Sequence, residues 1–279
     1  MKRTLRSSLL TVAVAMIAVA VSASPRSDFD KKIVEQFPIT ADGDVEVSNK
    51  YGNVSVETWS ENQVKFEVTI TVDARDQGKA NEIFERINVK FANTSSLVRA
   101  TTEISTAKSW KRWMGNNSDK FKISYRVWLP ASVSVGLENK YGDIAMSSIT
   151  GDCRIDLRYG NMSIEDVGGE ASIEMAFAKG TFGSAGKTSL DLKYSKLRCN
   201  TLGDVNANTK YSTLEAEKTG VLQSNTGYDN YKIKEVSSFT NVGKYDDFDF
   251  GCLIDVMDDA AYMSDAYLKD IIVVKELFL

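Results

Sequence analysis

Leu190-Asp191-Leu192-Lys193-Tyr194-Ser195-Lys196-Leu197-Arg198-Cys199 is the stretch that decides the fold. Up to Tyr194 the apolar residues alternate with polar ones, as in a strand whose successive side chains point to opposite faces. A short polar pair then breaks the strand at a turn, and Leu197 and Cys199 resume the alternation.

The same pattern recurs up and down the chain. Tyr141, Tyr159, Phe177, Tyr194, Tyr211, Tyr228 and Tyr245 are spaced by steps of 18, 18, 17, 17, 17 and 17 residues. Tyr262 or Met263 falls where the next should come. Apolar residues return three and five places after the aromatic, as in Ile144/Met146, Met162/Ile164, Tyr231/Ile233 and Phe248/Phe250. Another returns at eight: Ile149, Val167, Leu202, Val236 and Leu253. A unit this short cannot bury its apolar side alone, but stacked on its neighbours at about 4.8 Å it can. The expectation is a mainly β chain: a parallel β-solenoid (β-helix) of 17–18-residue coils over residues 136–279, a rod roughly 35–40 Å long.

Tyr194 shares parity with Leu190 and Leu192, so the series is expected to point inward as a structural aromatic ladder. The competing reading is a surface platform for stacking sugars. The basic residue before the aromatic (Lys140, Arg158, Lys193, Lys210, Lys244) then points outward. Such a column either binds an anionic polymer or is solvated charge paired with acidic neighbours, and the second reading is favoured. Cys153 and Cys199 fall in inward columns three coils apart, too far for a disulfide. Three free thiols, mostly buried, are expected.

Residues 24–135 read as a β-rich region with one helix, an α+β or β-sandwich unit capping the rod. An early copy of the motif lies at 45–57, with Asn49-Lys50-Tyr51-Gly52-Asn53-Val54 at its centre. Beyond it come an alternating strand over 64–72, a helix from Asp76 to Arg86, and strands over 87–91, 97–104 and 121–129. Between the last two strands, Trp110-Lys111-Arg112-Trp113 forms the candidate contact loop, able to stack on a glycan or press on a lipid surface. The competing, favoured reading folds the two indoles back over the cap's core.

Residues 1–23 read as a signal peptide: Lys2, Arg3 and Arg6, an apolar run from Leu9 to Val21, then Val21-Ser22-Ala23 before the cut. The run is short of the roughly 20 residues a membrane span needs, so no transmembrane segment is expected after cleavage. Cleavage moves the formal net charge from −4 to −7, which argues against nucleic acid as a partner. The chain has no His. That removes the commonest general base and metal ligand. The Cys spacing matches no zinc site, and no phosphate-binding glycine loop is present. No cofactor, metal or catalytic residue is expected. The aspartates from Asp246 to Asp270 read as a solvated face rather than a calcium site.

A signal peptide, the first Asn-Lys-Tyr-Gly-Asn-Val, an α+β excursion and then serial Lys-Tyr-Gly-Asp-Ile coils together resemble the bacterial putative-adhesin family, domains with β-strand repeats common in Bacteroidetes-type bacteria. The resemblance implies a β-solenoid at the cell envelope and carries no catalytic residues. The expected function is therefore an exported, non-enzymatic adhesin-like protein that binds or scaffolds at the envelope. It would sit in the periplasm, on the cell surface or outside the cell, with a glycan or an envelope or surface protein as partner. The alternatives are a structural or stress-linked periplasmic protein without external ligand, and a polysaccharide-active β-helix enzyme.

Overall fold

The computed structural model describes residues 27–105 and 120–256. The signal peptide, the Trp110–Trp113 loop, Tyr262/Met263 and the last aspartates lie outside these residues.

The chain builds a β-solenoid of about seven turns of roughly 17 residues. The N-terminal elements are β1 (Ser27–Pro38), β2 (Asp44–Lys50), β3 (Val54–Trp59), β4 (Gln63–Ala74), α1 (Gln77–Phe84), β5 (Ile87–Asn93), β6 (Leu97–Ile104) and β7 (Lys120–Pro130). The coils follow as β8 (Ser134–Lys140), β9 (Ile144–Met146), β10 (Cys153–Arg158), β11 (Asn161–Ile164), β12 (Ala171–Ala176), β13 (Lys179–Phe182), β14 (Thr188–Lys193) and β15 (Lys196–Leu202). They continue as β16 (Val205–Lys210), β17 (Thr213–Gly227), β18 (Asn230–Lys244) and β19 (Asp247–Val256).

Each coil lays one strand on each of two flanks, in register and parallel. On the first flank β8, β10, β12, β14 and β16 stack so that Val135, Cys153, Ala171, Thr188 and Val205 align. On the second, β9, β11, β13, β15 and the first half of β17 align Ile144, Met162, Gly180, Leu197 and Leu214. The apolar columns at three, five and eight places after the aromatic all point inward: Ile144, Met146, Leu197, Cys199, Ile149 and Leu202 are each at most 3% exposed. Side chains of one column repeat every coil, so the core is filled by ladders of like residues.

The early motif copy is the rod's first coil. β2 pairs in parallel with β8, and β3 with β9. The excursion from β4 to β7 then covers the open end. β6 extends the first flank from β2, and β7 extends the second from β3. β4 and β1 add antiparallel strands beyond β7. The helix α1 starts where Asp76 accepts the Lys79 amide at 2.9 Å, an N-cap that satisfies one orphan donor. It buries Ala80, Ile83 and Phe84 against this end. The edge strand β1 carries Asp28, Asp30, Lys31, Lys32 and Glu35 exposed, charges that discourage another chain from pairing there.

The coils differ from expectation at one position. Tyr51, Tyr141, Tyr159, Phe177, Tyr194, Tyr211, Tyr228 and Tyr245 all have positive φ, between 51° and 65°, whereas no described glycine does. The sharp corner is made by the aromatic itself and not by the small residues after it. A left-handed residue breaks the extended path of the chain and resets the alternation. Leu192 points in, Lys193 and Tyr194 both point out, and Ser195 points in. The aromatic rings therefore stand outside the rod. From Tyr141 to Tyr245 they are 42–70% exposed, which corrects the inward placement.

Candidate functional site

The rings form one continuous exterior stack. Centroids lie 5.3 Å apart from Tyr51 to Tyr141 and 4.8–5.1 Å apart from there to Tyr245, with planes within 18° of parallel. At the capped end Phe121 closes the stack edge-on against Tyr51 at 5.5 Å. Seating a bulky side chain in the left-handed region costs about 1–2 kcal/mol per residue. An aromatic pair returns about 0.5–1.5 kcal/mol, and each interior ring has two neighbours. The in-register hydrogen bonds help to hold the corner, as when the Tyr194 amide donates to the Lys210 carbonyl at 3.0 Å.

The column beneath the rings reads Gly52, Gly142, Gly160, Ala178, Ser195, Ser212, Asp229, Asp246. A Cβ on Gly142 would stand 2.0 Å from the Gly52 carbonyl oxygen, and one on Gly160 would stand 2.1 Å from the Gly142 oxygen. Glycine is needed there for room. Further along, the small polar side chains take over the bonding. Ser195 Oγ accepts from the Ala178 amide, and Ser212 Oγ from the Ser195 amide, both at 3.2 Å.

Beside the rings on the first flank runs the basic column: Lys50, Lys140, Arg158, Ala176, Lys193, Lys210, Gly227, Lys244. The next outward column reads Ser48, Glu138, Asp156, Glu174, Asp191, Asn208, Asn225, Val242. The two columns pair in the middle of the rod. Arg158 bridges Asp156 and Glu174 at 3.1 Å each, and Lys193 bridges Asp191 at 2.9 Å. The Asp156 carboxylate beside it raises the Arg158 guanidinium further above its ordinary value. Lys50 and Lys140 instead sit 4.8 and 5.1 Å from the centroids of Tyr51 and Tyr141, within cation–π range. Lys210 and Lys244 have no ion pair among the described residues.

A groove of about 890 Å³ runs along the far side of the first flank, bordered by Asp152, Glu170, Lys187, Asp204, Ser172 and Ser189. Its charges are partly committed to the fold. Asp152 accepts the Glu170 amide at 2.8 Å, Asp204 accepts the Val221 amide at 3.2 Å, and Lys187 pairs with Glu170 at 3.5 Å. The thiols of Cys153 and Cys199 are buried inside the coils, and burial pushes both up to about 12. Cys252 is half-buried, and all three are free. Among the described residues no group of three or more His, Cys, Asp or Glu is placed to hold a metal. No described helix is long and apolar enough to cross a membrane.

The sequence located the rings and the cations; it did not show that the rings are exposed. The signal was present. Inward residues lie at even offsets before the aromatic and at offsets three and five just after it, so the alternation must reset once between them.

No protein-family model and no curated protein matches the sequence. Solved structures do. A putative adhesin from Bacteroides fragilis superposes with a TM-score of 0.50 at 12% identity, over 79% of this chain and 97% of that one. Putative adhesins from Parabacteroides distasonis and Parabacteroides merdae give TM-scores of 0.43 and 0.41, each at 12% identity over 79% of this chain, and over 97% and 96% of theirs. At this identity, what the chain shares with the Bacteroides fragilis protein is the fold, a β-solenoid of the kind found in bacterial adhesin-like proteins.

Proposed function

We propose that the protein is an exported, non-enzymatic, adhesin-like scaffold that binds at the cell envelope through the outside of its rod. One observation carries the reading: the exposed ring stack with its basic column, repeated coil after coil along the rod. An exposed row of large aromatic side chains is uncommon on a monomer and marks contact surfaces. Backbone strain repeated at the same corner of every coil points the same way. The thiols, phenols and carboxyl with raised proton affinity, Cys153, Cys199, Tyr125, Tyr231 and Asp229, are buried in the fold. The adhesin name of the Bacteroides fragilis protein is in keeping with this reading.

The test is location followed by binding. Protease added to whole cells should degrade the protein, and the purified chain should bind cell-surface glycans without turning them over. Full protection in intact cells together with an empty glycan array would overturn the proposal. Turnover of a polysaccharide that is lost on changing one Asp or Glu would establish an enzyme instead.

A further inference from the structure

We propose that the corner from Tyr194 to Tyr245 is a binding track for a linear acidic polysaccharide lying parallel to the rod axis. This rests on the reading of the chain as a binding scaffold and names the ligand class.

The first argument comes from the rings themselves. Stacked at 4.8–4.9 Å, Tyr194, Tyr211, Tyr228 and Tyr245 cover one another's faces. A sugar or a nucleobase that stacks needs a free face, and between these rings none is available. What the corner offers outward is ring edges, the positive rim of the quadrupole, and phenolic hydroxyls. Both favour an electron-rich, acceptor-bearing partner.

The cations supply the second argument. Lys193, Lys210 and Lys244 run beside these rings. Where Asp156, Glu174 and Asp191 flank the middle of the rod, the same column becomes Asn208, Asn225 and Val242. In that column the carboxylates stop after Asp191, while Lys210 and Lys244 carry the cations on to either side of Gly227. Lys210 and Lys244 are thus left unpaired among the described residues, and the column beside them offers the neutral amides of Asn208 and Asn225 where the middle of the rod has carboxylates.

The coil at Phe177 separates ring from hydroxyl. Phe177 stacks on Tyr159 and Tyr194 at 5.1 and 4.9 Å within 3° of parallel, without a phenol. In the same coil the cation is replaced by Ala176. Hydroxyl and cation are lost together where the stack alone is kept. The stack holds the coils; the hydroxyls and cations present a second, separable chemistry. Because donors repeat once per coil along a straight line, the matching partner is an extended chain with regularly spaced anionic groups.

The experiment uses the full chain with polygalacturonate, dextran sulfate, uncharged dextran and single-stranded DNA, measured by biosensor at low and high salt. The acidic polysaccharides are expected to bind in a salt-sensitive way, and uncharged dextran not to. Lys210→Gln with Lys244→Gln should weaken binding about tenfold or more, the scale of one lost charge-assisted hydrogen bond. Tyr211→Phe with Tyr228→Phe should weaken it without lowering the unfolding temperature. Gly227→Lys should strengthen it, because a Cβ there meets nothing nearer than Lys210 Cγ at 4.0 Å and the new cation would lie between Lys210 and Lys244. Equal binding of uncharged dextran, tighter binding of DNA, or an unchanged affinity in the double lysine variant would overturn the proposal. Attachment to glycans or cells that persists when acidic polysaccharides fail would sink the ligand class alone. Loss of all attachment would sink the binding reading with it.

Discussion

The backbone amide of Asp229 donates to Oδ1 of Asp246, its counterpart one coil further on, at 3.0 Å. Asp229 in turn accepts from the Ser212 amide at 2.6 Å, the Gly227 amide at 2.7 Å and Thr209 Oγ1 at 2.9 Å. Burial raises its carboxyl above the ordinary value, and the nearby charge of Asp246 adds to this against the lowering effect of the three donors. A carboxyl raised on folding contributes stability that is present below its unfolded value and is lost as pH rises through the folded one. Asp229→Ser restores the residue that Ser195 and Ser212 supply at this place in the preceding coils. As the pH rises above about 4, the unfolding temperature of the native chain should fall relative to that of the variant. Parallel curves would refute the assignment.

At Tyr211 the usual order of glycine and alanine should invert. In an ordinary strand Gly costs about 0.5–1 kcal/mol more than Ala. Tyr211 has φ 52°. Both substitutions lose two ring neighbours, but only alanine keeps the strain of the left-handed region. Tyr211→Gly should therefore be the more stable of the two by about 1 kcal/mol in denaturant unfolding. An alanine variant of equal or greater stability would show that the corner relaxes.

Two glycines of the repeat should respond in opposite ways to the same change. Gly142→Ala places a Cβ 2.0 Å from the Gly52 carbonyl oxygen in the preceding coil, and forced overpacking of this kind costs about 1–3 kcal/mol. Gly227→Ala meets nothing nearer than Lys210 Cγ at 4.0 Å and should stay within about 0.5 kcal/mol of the parent. Chemical denaturation of the pair checks this, and a comparable loss in both variants would contradict it.

The thiols should separate by accessibility. Cys153 and Cys199 are 2% exposed, and their thiols are pushed up to about 12 by burial. A disulfide reagent at mildly alkaline pH should label Cys252 alone in the native protein and all three thiols in denaturant. Native labelling of Cys199 as fast as in the unfolded chain would mean that the coils open.

Much of the rod was legible because a solenoid repeats its physics. Ile144, Met162, Leu197 and Phe248 occupy one inward column, and their offsets from the aromatic could be counted. The helix read over Asp76 to Arg86 stands at Gln77–Phe84, with Asp76 as its N-cap. The side on which Tyr194 stands was not legible, because strand alternation assumes extended backbone throughout. A tyrosine in a left-handed conformation is rare enough that the parity argument passes straight through it. The clue was the smallness of Ser195, Ala178 and Gly160, which says that the residue after the aromatic faces a crowded corner. The distinction between Lys193 and Lys210 was equally out of reach, since it depends on what stands beside them across coils, in Asp191 and Asn208.

The excursion inserted between the first and second coils imposes an order on biogenesis. Ser48 bonds to Glu138 at a separation of 90 residues, whereas every later coil finds its partner 17 or 18 residues away. Closing the long loop carries a larger entropic cost and delays contacts of this kind relative to local ones. A chain leaving the ribosome or a translocation pore amino end first cannot stack a second coil on the first until the segment around residue 140 has emerged. From then on each further 17 residues can dock onto a finished template, so elongation of the rod keeps pace with delivery of the chain.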